Sequence, residues 1–219
     1  MKKIITFIAC FGIFLLKRTL MLEDKFYILC QKFTKDNKYV EILWNEIRLS
    51  YSNKSRYYHS FSHLETIYNQ LKPFQFTPTT EFSIFYHDIV YDIQERDNEE
   101  KSAILATQRL KELGVASEVR KKVSKLIIET KKQEGSSFDN ALFLDADISI
   151  LGSKLEVYKI YMQNIRKEYS IYSDKEYREG RKEVLKRFLK KERLYLSNYF
   201  YNLYEEKARS NIKYELTSL

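Results

Sequence analysis

The chain's 219 residues include three histidines, His59, His63 and His87, and all fall between positions 59 and 87. Two stand in Arg56-Tyr57-Tyr58-His59-x-x-x-His63, the third in His87-Asp88, and an acidic pair follows in Asp145-Ala146-Asp147. Imidazole nitrogen beside carboxylate oxygen is a donor set for a divalent transition metal or a magnesium-like ion. The two cysteines, Cys10 and Cys30, lack CxxC spacing and offer no thiolate cluster. A thiol-free, oxygen-rich set is the chemistry of a catalytic ion more than of a structural zinc. A single His-Asp dipeptide or a single helical Asp carries little weight. The weight lies in the joint pattern, which uses every histidine and sets Asp147 behind a hydrophobic run.

The elements that position these groups read as helices. The chain has 5 Gly and 2 Pro, too few turn-makers for a many-stranded sheet. Apolar residues recur at helical period, as in Phe26, Leu29, Cys30, Phe33 and then Val40, Ile42, Leu43, Ile47. Ser60 is a good N-cap for a helix carrying His63, Leu64, Ile67 and Leu71, ended by Lys72-Pro73. A helix turns about 100° per residue, so His59 and His63 share a side, one free to bind an ion and the other to face what lies beside it. Thr79-Thr80 caps an expected helix Glu81–Asp92 that holds His87 and Asp88. Adjacent residues point apart, so both reach one ion only at the helix edge. Asn98 precedes a helix that runs to Gly114, a C′ glycine, and Ser117 opens the next. Residues 134–138 read as a loop, and Asp139 restarts a helix through Asp147 to Gly152. Three more helical stretches follow, roughly 153–171, 174–196 and 198–216. The expected fold class is all-α: one helical bundle over 21–219 with a metal site in its core.

The net charge of +8 invites a nucleic-acid reading, but residues 1–20 supply +4 through Lys2, Lys3, Lys17 and Arg18. The other +4 is mixed along the chain with Asp and Glu, as on a solvated helical surface, and no macromolecular nucleic acid is expected as partner. Ile4–Leu16 is an apolar run shorter than the ~20 residues a membrane span needs. It has three readings: a leader ahead of a true start at Met21, a weak membrane anchor, or a cleaved export signal. The rest of the chain is expected to be cytoplasmic, with membrane contact only through residues 4–16.

Longer motifs add a resemblance. Arg56-x-Tyr58-His59-x-x-x-His63, Phe85-Tyr86-His87-Asp88-x-x-Tyr91-Asp92, Asn98-Glu99-Glu100-Lys101-Ser102-Ala103 and Phe143-Leu144-Asp145-Ala146-Asp147-x-Ser149-Ile150-Leu151-Gly152 together resemble metal-dependent phosphohydrolases of the HD superfamily. Ile165-Arg166-x-Glu168-Tyr169, Gly180-Arg181, Phe188-Leu189 and Ala208-Arg209-x-Asn211 are similar to the C-terminal half of the same small family, so the resemblance covers about residues 22–216. It implies an all-helical fold in which His63, His87, Asp88 and Asp147 bind a divalent metal. Similarity to the cyclic-nucleotide phosphodiesterase branch implies that His59 is the general acid. Two positions depart from that branch and its relatives: Tyr91 stands where the branch has a second-metal histidine, and Gln133 where close relatives carry histidine. One ion is therefore the expectation, with Asp92, Glu100 or Asp145 as carboxylates just outside its ligand shell.

The implied chemistry is hydrolysis of a phosphoester, of a nucleotide or other small phosphorylated metabolite, by metal-activated water. Asp88 would orient the attacking water, and His59 would protonate the departing oxygen. Arg56 is a candidate to clamp phosphate oxygens, and Lys131 is a second, its alternative being a solvated helix end. A competing function is a metal-bearing fold that binds a nucleotide and signals its presence without turnover. Which metal binds, among Mn, Fe, Zn and Mg, is open at this stage.

Overall fold

A computed structural model describes residues 21–219. The apolar run Ile4–Leu16 and its three readings lie outside the described residues. Ten α-helices and no strand occur among the described residues: α1 over 21–30, α2 (Asn37–Tyr51), α3 (Phe61–Leu71), α4 (Pro78–Tyr86), α5 (Asn98–Glu112), α6 (Ser117–Thr130), α7 (Phe138–Asp147), α8 (Leu155–Glu168), α9 (Asp174–Lys190) and α10 (Asn198–Ser218). A single 3₁₀ turn, Ser149–Gly152, joins α7 to α8. No helix among the described residues is long and apolar enough to cross a membrane.

Local chemistry sets most of the boundaries. Asp36, Thr77, Ser137, Ser173 and Ser197 each accept a hydrogen bond from a backbone N–H of the helix they precede. Ser173 and Glu176 complete a capping box. Gly114 closes α5 at φ +82, with Val115 N–H donating back to the Leu110 carbonyl, the six-to-one bond of a Schellman end.

One expected helix is shorter than its sequence suggests. The stretch Glu81–Asp92 was expected to be continuous, but α4 begins at Pro78 under a Thr77 cap and ends at Tyr86. The Asp88 and Ile89 carbonyls, which a continuing helix would use, instead accept Arg56 Nη1 at 2.6 Å and Nη2 at 2.9 Å. Asp92 N–H turns to the Asn98 side chain at 3.0 Å. His87 and Asp88 therefore sit on the turn that leaves α4, with His87 still in helical conformation and its N–H on the Ser83 carbonyl.

Aromatic packing binds α1–α4 together. Phe26 of α1 meets Phe85 of α4 with centroids 5.0 Å apart, and Trp44 of α2 lies 5.7 Å from Phe61 of α3. All four are buried, so each contributes a few kcal/mol of apolar burial, with about 1 kcal/mol more for each well-oriented ring pair. α3 packs on α7, and α10 packs on the 3₁₀ turn. The buried Arg181–Glu215 bridge, at 2.7 Å, ties α9 to α10.

Candidate metal centre

The contact of α3 with α7 brings residue 63 to residue 147, and the turn after α4 delivers 87 and 88 between them. His63 Nε2 lies 3.0 Å from Asp147 Oδ1 and 3.2 Å from His87 Nε2. His87 Nε2 lies 3.2 Å from Asp88 Oδ2. His63 to Asp88 and His87 to Asp147 are both 3.7 Å. His63, His87 and Asp88 by themselves form a compact triad whose ligand atoms all lie within 4.8 Å of one another. Donors bound at about 2.0–2.2 Å from one ion stand about 2.8–3.6 Å apart at right-angled to tetrahedral geometry. The separations of 3.0 and 3.2 Å match the edges of such a polyhedron, those of 3.7 Å lie just beyond them, and Asp147 lies beside the triad.

Charge points the same way. Burial and its Asp147 neighbour pull the His63 ring in opposite directions, and burial wins, holding its pKa below the ordinary value. Burial also opposes a charge on His87, but the charge and hydrogen bond of Asp88 outweigh it and raise that pKa to about 9. Burial resists ionisation of Asp88 and Asp147, yet the facing imidazoles hold both carboxyls below their usual range. Two carboxylates thus face one imidazolium and one neutral imidazole at neutral pH. A divalent cation that displaced the His87 proton would leave the buried set neutral, so the donors fit such an ion in charge as well as spacing.

The tautomers fit unequally. His87 Nδ1–H donates to the Ile84 carbonyl at 3.1 Å, which turns the Nε2 lone pair into the cluster, as an outer partner does for a metal-bound imidazole. His63 Nδ1 is buried without a hydrogen-bond partner among the described residues. Its ring is held by packing, against Tyr58 at 5.0 Å and His59 at 5.8 Å. Gln133 sits at φ +54 on the turn after α6 and donates Nε2 to Asp147 Oδ2 at 3.1 Å. Gln133 thus orients a candidate ligand.

His59 belongs to a second cluster alongside. Its Nδ1 meets Glu168 Oε2 at 2.7 Å, while the Tyr58 and His59 backbone N–H groups donate to Glu168 Oε1 at 2.7 and 2.9 Å. Tyr91 donates its hydroxyl to the same carboxylate at 3.0 Å, and its ring lies over His59 at 4.3 Å. Burial disfavours charge on His59, but Glu168 prevails and its pKa is raised. Nδ1 is therefore committed, and Nε2 is the nitrogen left for chemistry. Sequence reasoning gave Glu168 no role. The available signal was its place in register with the buried Tyr158, Tyr161 and Ile165 of α8, a carboxylate on an apolar stripe.

Several expected participants have other tasks. Arg56 was expected to clamp phosphate, but Nη1 and Nη2 are committed to the carbonyls of Asp88 and Ile89, and the guanidinium packs over Tyr51 and Tyr91. It acts as a strap that holds the Asp88 turn. Asp145 was expected beside Asp147 near the ion. Two residues apart on α7 is about 200°, so it faces away and accepts the Leu196 and Ser197 N–H groups at 2.7 Å each and Ser197 Oγ at 2.6 Å. Asp92 is exposed and caps its own turn through Gln94 N–H at 2.9 Å. Glu100 and Lys131, expected at the ion and at phosphate, bond one another at 2.6 Å, and Lys131 also donates to the Arg96 carbonyl at 2.6 Å.

No family model matches this chain, and no curated protein or solved structure matches it.

The His87 pKa gives a test of the cluster itself. A group raised from 6.5 to about 9 contributes stability that is fully present below about pH 6.5 and is lost as pH climbs through 9. Chelated protein is expected to show a melting temperature that falls over that interval. Melting curves recorded from pH 6 to 9.5 check it, and a flat profile would contradict the charge assignment.

Proposed function

We propose that this chain is a metal-dependent phosphohydrolase of the HD type, acting on a phosphoester of a small phosphorylated metabolite through one divalent ion. The observation that carries this reading is the meeting of the two clusters. Four nitrogen and oxygen donors, from His63, His87, Asp88 and Asp147, converge next to a histidine whose second nitrogen is fixed by a buried glutamate. A divalent ion in that place supplies Lewis acidity, activating water for attack at phosphorus and offsetting charge on the phosphate oxygens. His63, His87, Asp88 and Asp147 would hold it. The chain's own groups do the rest. Glu168 keeps His59 Nδ1 protonated and its Nε2 turned outward, so Nε2 can hold the proton that the departing oxygen needs. Gln133 keeps Asp147 from rotating, and Arg56 keeps the Asp88 turn in place. The resemblance of the His59–His63, His87-Asp88 and Asp145–Gly152 motifs to HD phosphohydrolases supports the same reading.

The test is metal content and turnover on one preparation of the full chain. About one ion per chain is expected, together with hydrolysis of a p-nitrophenyl phosphoester that stops on chelation and returns with manganese. Protein that holds no ion after reloading with manganese, iron or zinc would end this proposal.

A further inference from the structure

Gln133 reaches Asp147 from a conformation that most side chains avoid. Its φ of +54 lies in the left-handed region, which is costly for a residue with a Cβ. The amide gains little to offset that cost. Both of its neighbours, Asp147 Oδ2 and the Thr130 carbonyl, are acceptors, so the amide nitrogen must face them, at 3.1 Å each. Gln133 Oε1 is then left buried with no hydrogen-bond partner among the described residues. A strained backbone and a stranded acceptor both oppose this placement, so a group outside the turn has to hold it.

That group is Lys191, the residue that ends α9. Its Nζ donates to the Lys132 carbonyl at 2.7 Å and to the Gln133 carbonyl at 3.1 Å. These carbonyls belong to the two peptide planes that flank the Gln133 Cα, so one ammonium fixes both torsions of that residue. A lysine near a helix end often does no more than satisfy spare carbonyls. Two observations go further. Burial pulls the Lys191 pKa below its ordinary value against the charge of Glu134, so the contact is made at a cost to the ammonium. The lysine is also anchored from behind. Arg209 of α10 donates to the Lys191 and Glu192 carbonyls at 2.7 and 2.8 Å, and its own Nε is held by Glu205 at 2.7 Å. A line of polar contacts thus runs from α10 through Lys191 and the Gln133 turn to Asp147 on α7.

We propose that Lys191 is a positioning residue of the metal centre, clamping both peptide groups of the Gln133 turn so that the amide stays on Asp147. The proposal rests on the metal reading for what Asp147 binds.

Manganese affinity of the full chain tests it, by titration calorimetry on protein first stripped with chelator. Lys191→Met keeps the aliphatic stem and removes the donors. It should weaken manganese about tenfold, the scale on which a metal ligand responds to losing its outer partner. Lys191→Arg can still meet two carbonyls with its fork and should stay within about threefold of the parent. Gln133→Gly tolerates the torsion but lacks the amide, so adding Lys191→Met to it should cost no further affinity. A lysine that only stabilised the fold would lower the melting temperature of Lys191→Met while leaving its manganese affinity parental. That result, or additive losses in the double variant, would overturn the proposal. Hydrogen exchange on the chelated chain separates the clamp from the metal reading. Lys191→Met should speed exchange of the amides over 131–136 about tenfold. Such a change in a protein whose parent takes up no manganese sinks the metal reading alone, and parental manganese affinity in Lys191→Met sinks the clamp alone.

Discussion

Protein carrying His87→Ala or Asp147→Ala is expected to purify with less than about a tenth of the parental metal and to lose hydrolysis by about 10³-fold or more. Each change removes a donor that lies 3.0–3.7 Å from its neighbours in the cluster, and the other carboxylates expected near it are engaged or turned elsewhere. Asp92 is exposed on its own turn, Glu100 is held by Lys131, and Asp145 faces the opposite side of α7. Asp147→Ala also leaves the ion with one balancing carboxylate, and the buried excess charge weakens binding further. His59→Ala is the contrast. His59 bonds Glu168 and stays outside the donor polyhedron, so its loss should spare the metal and cost about 10²–10⁴ in rate. Elemental analysis beside a phosphoester assay reads both quantities. Full metal in His87→Ala, or parental rate in His59→Ala, would break the assignment.

Two residues away on the same helix, Asp145→Ala is expected to do the reverse: keep the ion and lose about 3–5 kcal/mol of folding stability. Its carboxylate is 1% exposed and accepts three hydrogen bonds from residues 196 and 197. Alanine would strand those donors, each at about 1–3 kcal/mol where water cannot replace the lost partner. One of them, the Ser197 hydroxyl, is also the cap of α10, accepting from Phe200 N–H, so that helix start is loosened as well. Urea unfolding and metal content of Asp145→Ala and Asp147→Ala, measured side by side, separate the two roles. A stable Asp145→Ala, or one that has lost its metal, would return this residue to the site.

The sequence made the helices legible because helix period, caps and stops are local. Ser117, the 134–138 loop, Gly114 and the starts of the three C-terminal stretches fall within a few residues of the observed boundaries, while the stretch expected over 174–196 ends at Lys190. The end of α4 was not legible, because it is decided by Arg56, more than thirty positions earlier, drawing carbonyls out of the helical ladder. The candidate ligands could be read as a set, since histidine is so rare here that its placement carries information. The candidates that the structure engages elsewhere are the flexible charged ones. Arg56, Asp145 and Lys131 each have the right chemistry for the site, but which side of a helix they face and which carbonyl they reach are tertiary facts. Glu168 was hidden for the same reason, its four hydrogen bonds reaching back to residues 58, 59 and 91.

The Asp145 anchor has a consequence for the order in which the protein is made. His63, His87, Asp88 and Asp147 are all translated before residue 148, whereas the partners of Asp145 follow it by 51 and 52 positions. At the usual pace of synthesis, about 5–20 residues per second, α7 spends seconds outside the ribosome with a buried carboxylate lacking its partners. During that interval the helix bearing Asp147 is unlocked on its far side. The half of the molecule that carries the candidate metal cluster can thus assemble early, but it becomes rigid only when the start of α10 arrives to close it.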